Sequence, residues 1–571
     1  MRDPRGRFMP FTRRRLVGSA LAGGAALSLP WAVGAQDATP AASGETIRSL
    51  TREEYEAQLV EELGFTEAET PGGAFVDSYT ADIQTVHPFL AEETASLNVA
   101  TLVFEQLIGG DVRTGQPAPT GLANSWEVAP DSRTYTFHLD QDAVWHDGTP
   151  VTADDVIFSF DALANPDTGS FVDAVESYRA IDQHTVEVVA VEPLFTFLYD
   201  LVAYIVPKHV WESVPFAEWR TDPGATGADP SRVVGSGPFK FQEWQQGQSV
   251  TLVRNDEYHG KVPYIDSYVL TIWPEQTAVV NALLNGEIDT TALEPSDIAA
   301  VDGTPGIIVE HYPTRSFTYY FFNLNSEATT LWQDQQVRQA MIYALDRESI
   351  VSDIWLGYAE VAQGTQPVIS YAYAPDQLRT QYTYDPEQAS ALLSEAGWTD
   401  TDGDGIVDKD GQSLSFEFIY ISGSPTADQL VAYMQDAWGA IGIEATPRAL
   451  EFPAWIEAVT TDSGWEVALG GFGWDATFIQ DIMFGCAQYQ VGFNDMKYCN
   501  PALDEINAEA KRTFDEARRR ELLIEATNII NDEQPVGVLL FSQAHAAFSD
   551  RLRNYIPGPW GVDLSFVWIQ Q

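Results

Sequence analysis

The stretch GGFGWDATF, residues 470–478, is the strongest candidate for ligand chemistry in the chain. Its glycines suit a turn that presents Phe472 and Trp474 beside the carboxylate of Asp475. An ionised Asp475 can pair with a ligand ammonium, and the pair strengthens where protein excludes water. Phe472 can lie against a planar or apolar part of the same ligand. The plainer alternative is a surface turn backed by core aromatics.

A second candidate is DTDGDGIVDKDG, residues 400–411. Asp400, Asp402 and Asp404 followed by Gly405 and Ile406 reproduce the first half of a calcium loop, with Asp408 at the ninth position. Carboxylates at alternate positions of a turning backbone converge on one hard cation. Position twelve is Gly411 in place of the bidentate Glu, so the loop is incomplete as an EF-hand. A structural calcium is the metal expectation; an acidic hairpin loop is the alternative. No cofactor is required.

Other chemistries find little support. The eight histidines are scattered, with no HExxH and no cysteine partners at metal-ligand spacing. No GxSxG elbow occurs after residue 35. Paired-carboxylate hydrolysis stays open as an alternative, because 83 acidic residues admit any pair and single out none. No residue is assigned a catalytic role.

The elements that must position these groups are legible in pieces. Tyr135, Phe137 and Leu139 alternate with Thr136 and His138 as in a half-buried strand, and Asp147-Gly148 marks a turn. Thr152 and Asp155 form a capping box ahead of an apolar helix face of Val156, Ile157, Phe160 and Leu163. A second capping box, Thr51 and Glu54, opens a helix with Tyr55, Leu59 and Leu63 on one face, read as a surface or docking helix. Residues 37–48, rich in Ala, Thr, Ser, Gly and Pro, read as a flexible leader. GSGPF, residues 235–239, lacks the Lys and Ser/Thr of a phosphate loop and reads as a strand-entry turn.

At 571 residues the chain predicts several domain-sized units, and 45% hydrophobic content can bury large cores. The formal charge is −52, and removing residues 1–35, with six Arg and one Asp, takes it to −57. Nucleic acid and anionic membranes are therefore excluded as partners, since binding them needs basic patches. Arg13-Arg14, a moderately apolar run and Val33-Gly34-Ala35 form a twin-arginine-type signal with cleavage before Gln36. No cysteine lies there, so no lipobox is supported. The expectation is export to a periplasmic or cell-envelope space as a soluble monomer. In that oxidising setting Cys486 and Cys499 would pair as one disulfide; two free thiols are the alternative.

The order LANSWEVAPDSRTYTFHLDQDAVWHDGTPVTADDVIFSF, residues 122–160, closely resembles the N-terminal block of bacterial extracellular solute-binding proteins of the peptide/nickel class. One departure is Asp140, where that family usually carries a basic residue. Further blocks lie at 235–239, at 251–289 (NDEYHGKVPYID, LLNGEID), at 320–357 and at 384–398, so the resemblance runs from about residue 73 to the C-terminus. It implies an α/β, two-lobed periplasmic-binding-protein fold, type II, with an extra subdomain in lobe one. Lobe one would comprise residues 73–312 and 541–571, with the insertion at about 108–212, and lobe two residues 313–540. Two crossing strands near 310–316 and 538–545 would form the hinge.

The resemblance also implies the work. A binding protein of an ABC importer would trap a di- or oligopeptide between hinged lobes and deliver it to membrane permease subunits, without enzymatic activity. Peptide-binding members carry G-W-x-x-D where this chain has Gly471-Phe472-x-x-Asp475, the Asp holding the peptide's α-amino group. The Asp-Pro pair common after that Asp is missing here. FGCAQYQVGFNDMKYCNPALDEI, residues 484–506, resembles the dipeptide-binding proteins, cysteine spacing included. An aromatic near the hinge of the family favours Tyr319 over Tyr320 as a cleft residue, with core packing as the alternative. Within the same fold an oligosaccharide or metal-chelate ligand remains the competing expectation.

Overall fold

The computed structural model describes residues 46–571 apart from 92, 166–173, 202, 326–328 and 462–463. The twin-arginine segment and the leader as far as residue 45 lie outside the described residues.

The leader's last residues are ordered into the fold, against the expectation of a flexible run to residue 48. Ile47–Arg48 adds an edge strand beside Val128 and Glu127, because the strand Ala123–Val128 otherwise leaves backbone donors and acceptors unpaired on that side. The helix Arg52–Leu63 follows with its Thr51–Glu54 capping box formed. Tyr55 and Leu59 are buried against Ala118 and Phe566, and Arg52 is buried 3.6 Å from Glu105. The helix is thus docked on the C-terminal segment and the body of the first lobe.

The strand–turn–helix unit of residues 122–163 forms as the alternation requires. In Thr134–Leu139 the side chains of Tyr135, Phe137 and Leu139 are buried. The strand sits centrally in a five-stranded antiparallel sheet ordered 47–48, 123–128, 134–139, 185–190, 175–182. Asp155 accepts from the Thr152 amide at 2.9 Å and caps the helix Ala153–Leu163. His146 ties this unit to GSGPF: its Nδ1 accepts from the Gly235 amide (3.2 Å) and its Nε2 donates to the Gly237 carbonyl (3.0 Å). Burial pushes His146 down to about 4, which keeps the ring neutral and fits one donor and one acceptor. A side chain at Gly235 would meet the Val103 carbonyl at 1.8 Å, so GSGPF is a turn that seats a helix end.

A four-stranded sheet, ordered 74–79, 267–272, 249–254, 239–245, completes the first lobe. Its core collects residues from Phe75 to Leu270 together with Ala546–Ile569. The long strands Ile307–Phe322 and Val536–Ser549 run antiparallel and link this lobe to the second, with irregular register between Pro313 and Phe317. The ladder between the two strands is interrupted at that irregularity. Beyond it the sheet continues through 467–473, 415–421 and 444–450. Apolar clusters cover both faces of this part, as expected for strands with parallel neighbours. Among the described residues no helix is long and apolar enough to cross a membrane.

Candidate functional site

A cavity of about 1120 Å³ lies between the lobes. Lobe one walls it with the strand Ala74–Tyr79, Tyr199 and Trp560, and lobe two with Asp475 and Ala476; Tyr312, Arg315 and His545 of the crossing strands also line it. The lobes also touch outside the cavity. Arg512 makes a two-pronged pair with Glu192 at 2.7 and 2.8 Å, the Phe195 amide donates to the Lys511 carbonyl at 2.7 Å, and the Arg519 guanidinium sits 3.5 Å from the Phe195 ring centre.

Asp475 is positioned by the end of a strand. Val467–Gly473 pairs antiparallel with the crossing strand, Gly473 opposite Ser316. The chain then turns, and the Trp474 amide donates to the Arg315 carbonyl (3.1 Å) while Trp474 Nε1 donates to the Thr365 carbonyl (2.7 Å). Thr477 closes the turn by donating its amide and hydroxyl to Asp475 Oδ1 at 2.8 and 2.5 Å. Both Thr477 bonds fall on Oδ1, and the Phe478 amide also acts on the carboxylate. The carboxylate is open to the cavity yet enclosed by protein on all sides at longer range. That burial raises its pKa, against the lowering effect of the Thr477 bonds.

Arg315 was not singled out by the sequence. It lies in the interrupted stretch of the crossing strand, its guanidinium 5.1 Å from the Trp560 ring centre and within bonding distance of the Trp474 carbonyl (3.3 Å). Burial lowers its pKa and Asp475 opposes that effect. Trp560 follows Pro557-Gly558-Pro559, a Pro/Gly loop whose one large residue was a usable but unused signal.

Three of the four expected ligand contacts lie off the cavity. Trp474 is 1% exposed and stacks near Phe317, with ring centres 5.8 Å apart. Phe472 is half-buried against Trp474 and Phe493 at 5.0 and 5.5 Å. Tyr319 packs between Phe317 and Phe321. None of these three lines the cavity. Tyr319 and Tyr320 do face opposite ways, but both faces of the sheet are covered. Tyr319 lies over Gly470 and Tyr320 over Gly537, where a side chain would collide at 2.1 Å. Of the four, only Asp475 lines the cavity, and the aromatics pack behind it.

The other candidates stand apart from the cavity. Cys486 and Cys499 form a disulfide with Cα atoms 4.4 Å apart. Their loop carries Phe493, which touches Phe472. In the acidic loop, oxygens of Asp400, Asp402 and Asp408 lie within 4.8 Å of one another. Asp404 is not part of that group; its Oδ1 accepts from the Ile406 amide at 2.8 Å.

The family of bacterial extracellular solute-binding proteins, family 5 (middle region), matches residues 119–490. The oligopeptide-binding protein AppA of Bacillus subtilis is 28% identical over 500 residues, covering 85% of this chain and 89% of its own length. The dipeptide-binding protein of Escherichia coli is 26% identical over 488 residues, covering 80% and 87%. The solved structure of Bacillus subtilis AppA in complex with a nonapeptide superimposes with a TM-score of 0.76 at 26% identity, covering 88% of this chain and all of that one. Two lobes joined by paired crossing strands, a cavity between them and a match over most of the chain lead to one assignment: the protein belongs to the bacterial extracellular solute-binding proteins, family 5, and has their type II two-lobed fold.

Proposed function

We propose that this protein captures di- or oligopeptides between its lobes and hands them to the membrane subunits of an ABC importer. The observation that carries the reading is Asp475: a carboxylate lining the interlobe cavity and fixed at Oδ1 by Thr477, suited to a peptide's α-ammonium. The cavity, about 1120 Å³, exceeds the roughly 300–1,000 Å³ typical of sites for drug-sized ligands, which favours an oligopeptide over a dipeptide. The names of its relatives as oligopeptide- and dipeptide-binding proteins point the same way. Denaturing the purified protein and identifying the released small molecules by mass spectrometry should recover peptides. Added peptides should raise the melting temperature and remain uncleaved. Recovery of oligosaccharide or metal chelate alone, or steady peptide hydrolysis, would overturn the reading.

The same proposal includes export through residues 1–35 and action as a monomer. It also assigns calcium to the acidic loop, in a structural role. Asp400 accepts from the Gly403 and Gly405 amides (2.6 and 3.1 Å), which curls the loop so that Asp402 and Asp408 come beside it. Exposed sites of this kind bind in the range of roughly 10⁻⁴–10⁻³ M. Calcium at ten times Kd should then stabilise chelator-treated protein by about 1.4 kcal/mol. Asp402→Ala should abolish the rise in melting temperature. A melt indifferent to calcium would return the loop to an acidic hairpin.

A further inference from the structure

The cavity holds a second carboxylate with no role in the reading above. In the strand Ala74–Tyr79, alternation puts Phe75, Asp77 and Tyr79 on one face, and all three line the cavity. Asp77 is half-buried, and it accepts from Tyr268 Oη (2.8 Å) and the Ser78 amide (2.8 Å). A carboxylate offers about four acceptor sites, so two remain. Tyr79, Tyr268, Tyr312 and Tyr555 also line this part of the cavity, and burial raises the pKa of each phenol, which keeps the rings neutral.

The charge balance around Asp77 is incomplete. Its neighbour Asp289 is paired with Arg551 at 3.0 Å. Among the described residues Asp77 has no Lys or Arg within ion-pairing distance, and burial pushes it up to about 6. A buried carboxylate without a counter-charge is costly, and neutral aromatic rings around one favour a cation electrostatically. Glu294, another cavity carboxylate, also lacks a basic partner among the described residues and is pushed up to about 7 by burial.

We propose that Asp77, with the tyrosines around it, forms a subsite for a cationic side chain, lysine or arginine, of the bound peptide. This rests on the peptide reading above and adds a preference to it. Asp475 takes the α-ammonium from lobe two, and Asp77 takes a side-chain cation from lobe one. A basic peptide therefore bridges the lobes electrostatically.

The test uses alanine pentapeptides in which Lys, norleucine or Glu is placed in turn at the second, third and fourth positions. Binding to the wild-type protein and to Asp77→Asn is measured by titration calorimetry, after ligand removal and refolding. Asn keeps an acceptor for Tyr268, and a melt of each variant checks the fold. At one position Lys should bind about tenfold tighter than its uncharged isostere norleucine, and Glu weaker than both. In Asp77→Asn the Lys advantage should vanish while norleucine affinity holds. Equal binding of Lys and norleucine at every position overturns the subsite and leaves peptide capture standing. A Lys preference that survives Asp77→Asn overturns the assignment to Asp77. Failure of all pentapeptides to bind overturns both readings together.

Discussion

Asp475→Asn should weaken binding of a short peptide by about 100-fold and leave the melting temperature of the ligand-free protein nearly unchanged. Removing one partner of a buried, hydrogen-bonded charge pair costs roughly 2–5 kcal/mol, and every 1.4 kcal/mol or so is tenfold in affinity. Asn retains an oxygen for the two Thr477 bonds, so the turn keeps its closure. Burial already disfavours the ionised form in the free protein, so losing the charge relieves a cost and adds none. The matching change on the ligand is acetylation of its amino terminus. Wild-type protein should bind the acetylated peptide about as weakly as the variant binds the free one, and the double change should add little more. Acidification should act in the same direction. Burial raises the pKa of Asp475, so its carboxylate takes up a proton earlier on acidification than an exposed Asp would, and the ammonium then loses its counter-charge. Titration calorimetry at two pH values measures all of this. Wild-type affinity in Asp475→Asn, or indifference to acetylation, would remove Asp475 from the ligand's amino terminus.

What could be read from the sequence divides along a physical line. Local chemistry was legible: capping boxes at Thr51 and Thr152, the alternation of 134–139, and the strand-entry turn at 235–239 all formed. Each depends on residues a few positions apart. The turn at Asp475 was legible for the same reason, since Thr477, two positions on, closes it. The direction in which Phe472, Trp474 and Tyr319 point was not. It depends on strand pairing over 150 residues of separation, as in Phe317 with Phe472, and on layers that cover both sheet faces. Alternation says that Tyr319 and Tyr320 diverge; it does not say that neither direction is solvent. Arg315, Trp560 and Asp77 were missed because each acquires meaning only where three distant segments meet around one cavity. The edge strand Ile47–Arg48 was hidden by a composition typical of leaders.

The disulfide should matter more for stability than its surface position suggests, and its loss should reach the binding site. Cys486 and Cys499 are 13 residues apart. In the chain-entropy account, closing a loop of that size stabilises the fold by about 3 kcal/mol. A unit of 150–250 residues shifts by roughly 2–4 °C per kcal/mol, so Cys486→Ser with Cys499→Ser should lower the melting temperature by about 6–12 °C. Opposing that loss, Asn494 already organises the loop. It donates to the Gly485 and Tyr498 carbonyls (2.9 and 2.7 Å) and accepts from the Tyr498 amide (3.0 Å), which holds the enclosed segment near its native course without the covalent link. The Ser variant should therefore fold. Its weakness appears in Phe493, which this loop presses onto Phe472, which in turn backs Trp474 and the Asp475 turn. With the loop freed, that aromatic floor loosens and the carboxylate is less well fixed, so peptide affinity should fall modestly, by about threefold to tenfold, far less than for Asp475→Asn. Adding Asn494→Ala to the Ser variant removes the remaining brace, and the two losses should exceed their sum, since both act on one loop. Calorimetric melts with and without reductant check the stability half: reductant should reproduce the Ser variant in the wild-type protein and leave the variant itself unmoved. A double Ser variant that melts like the wild type would show that hydrogen bonds alone hold the loop and that the covalent link adds no constraint the unfolded chain feels.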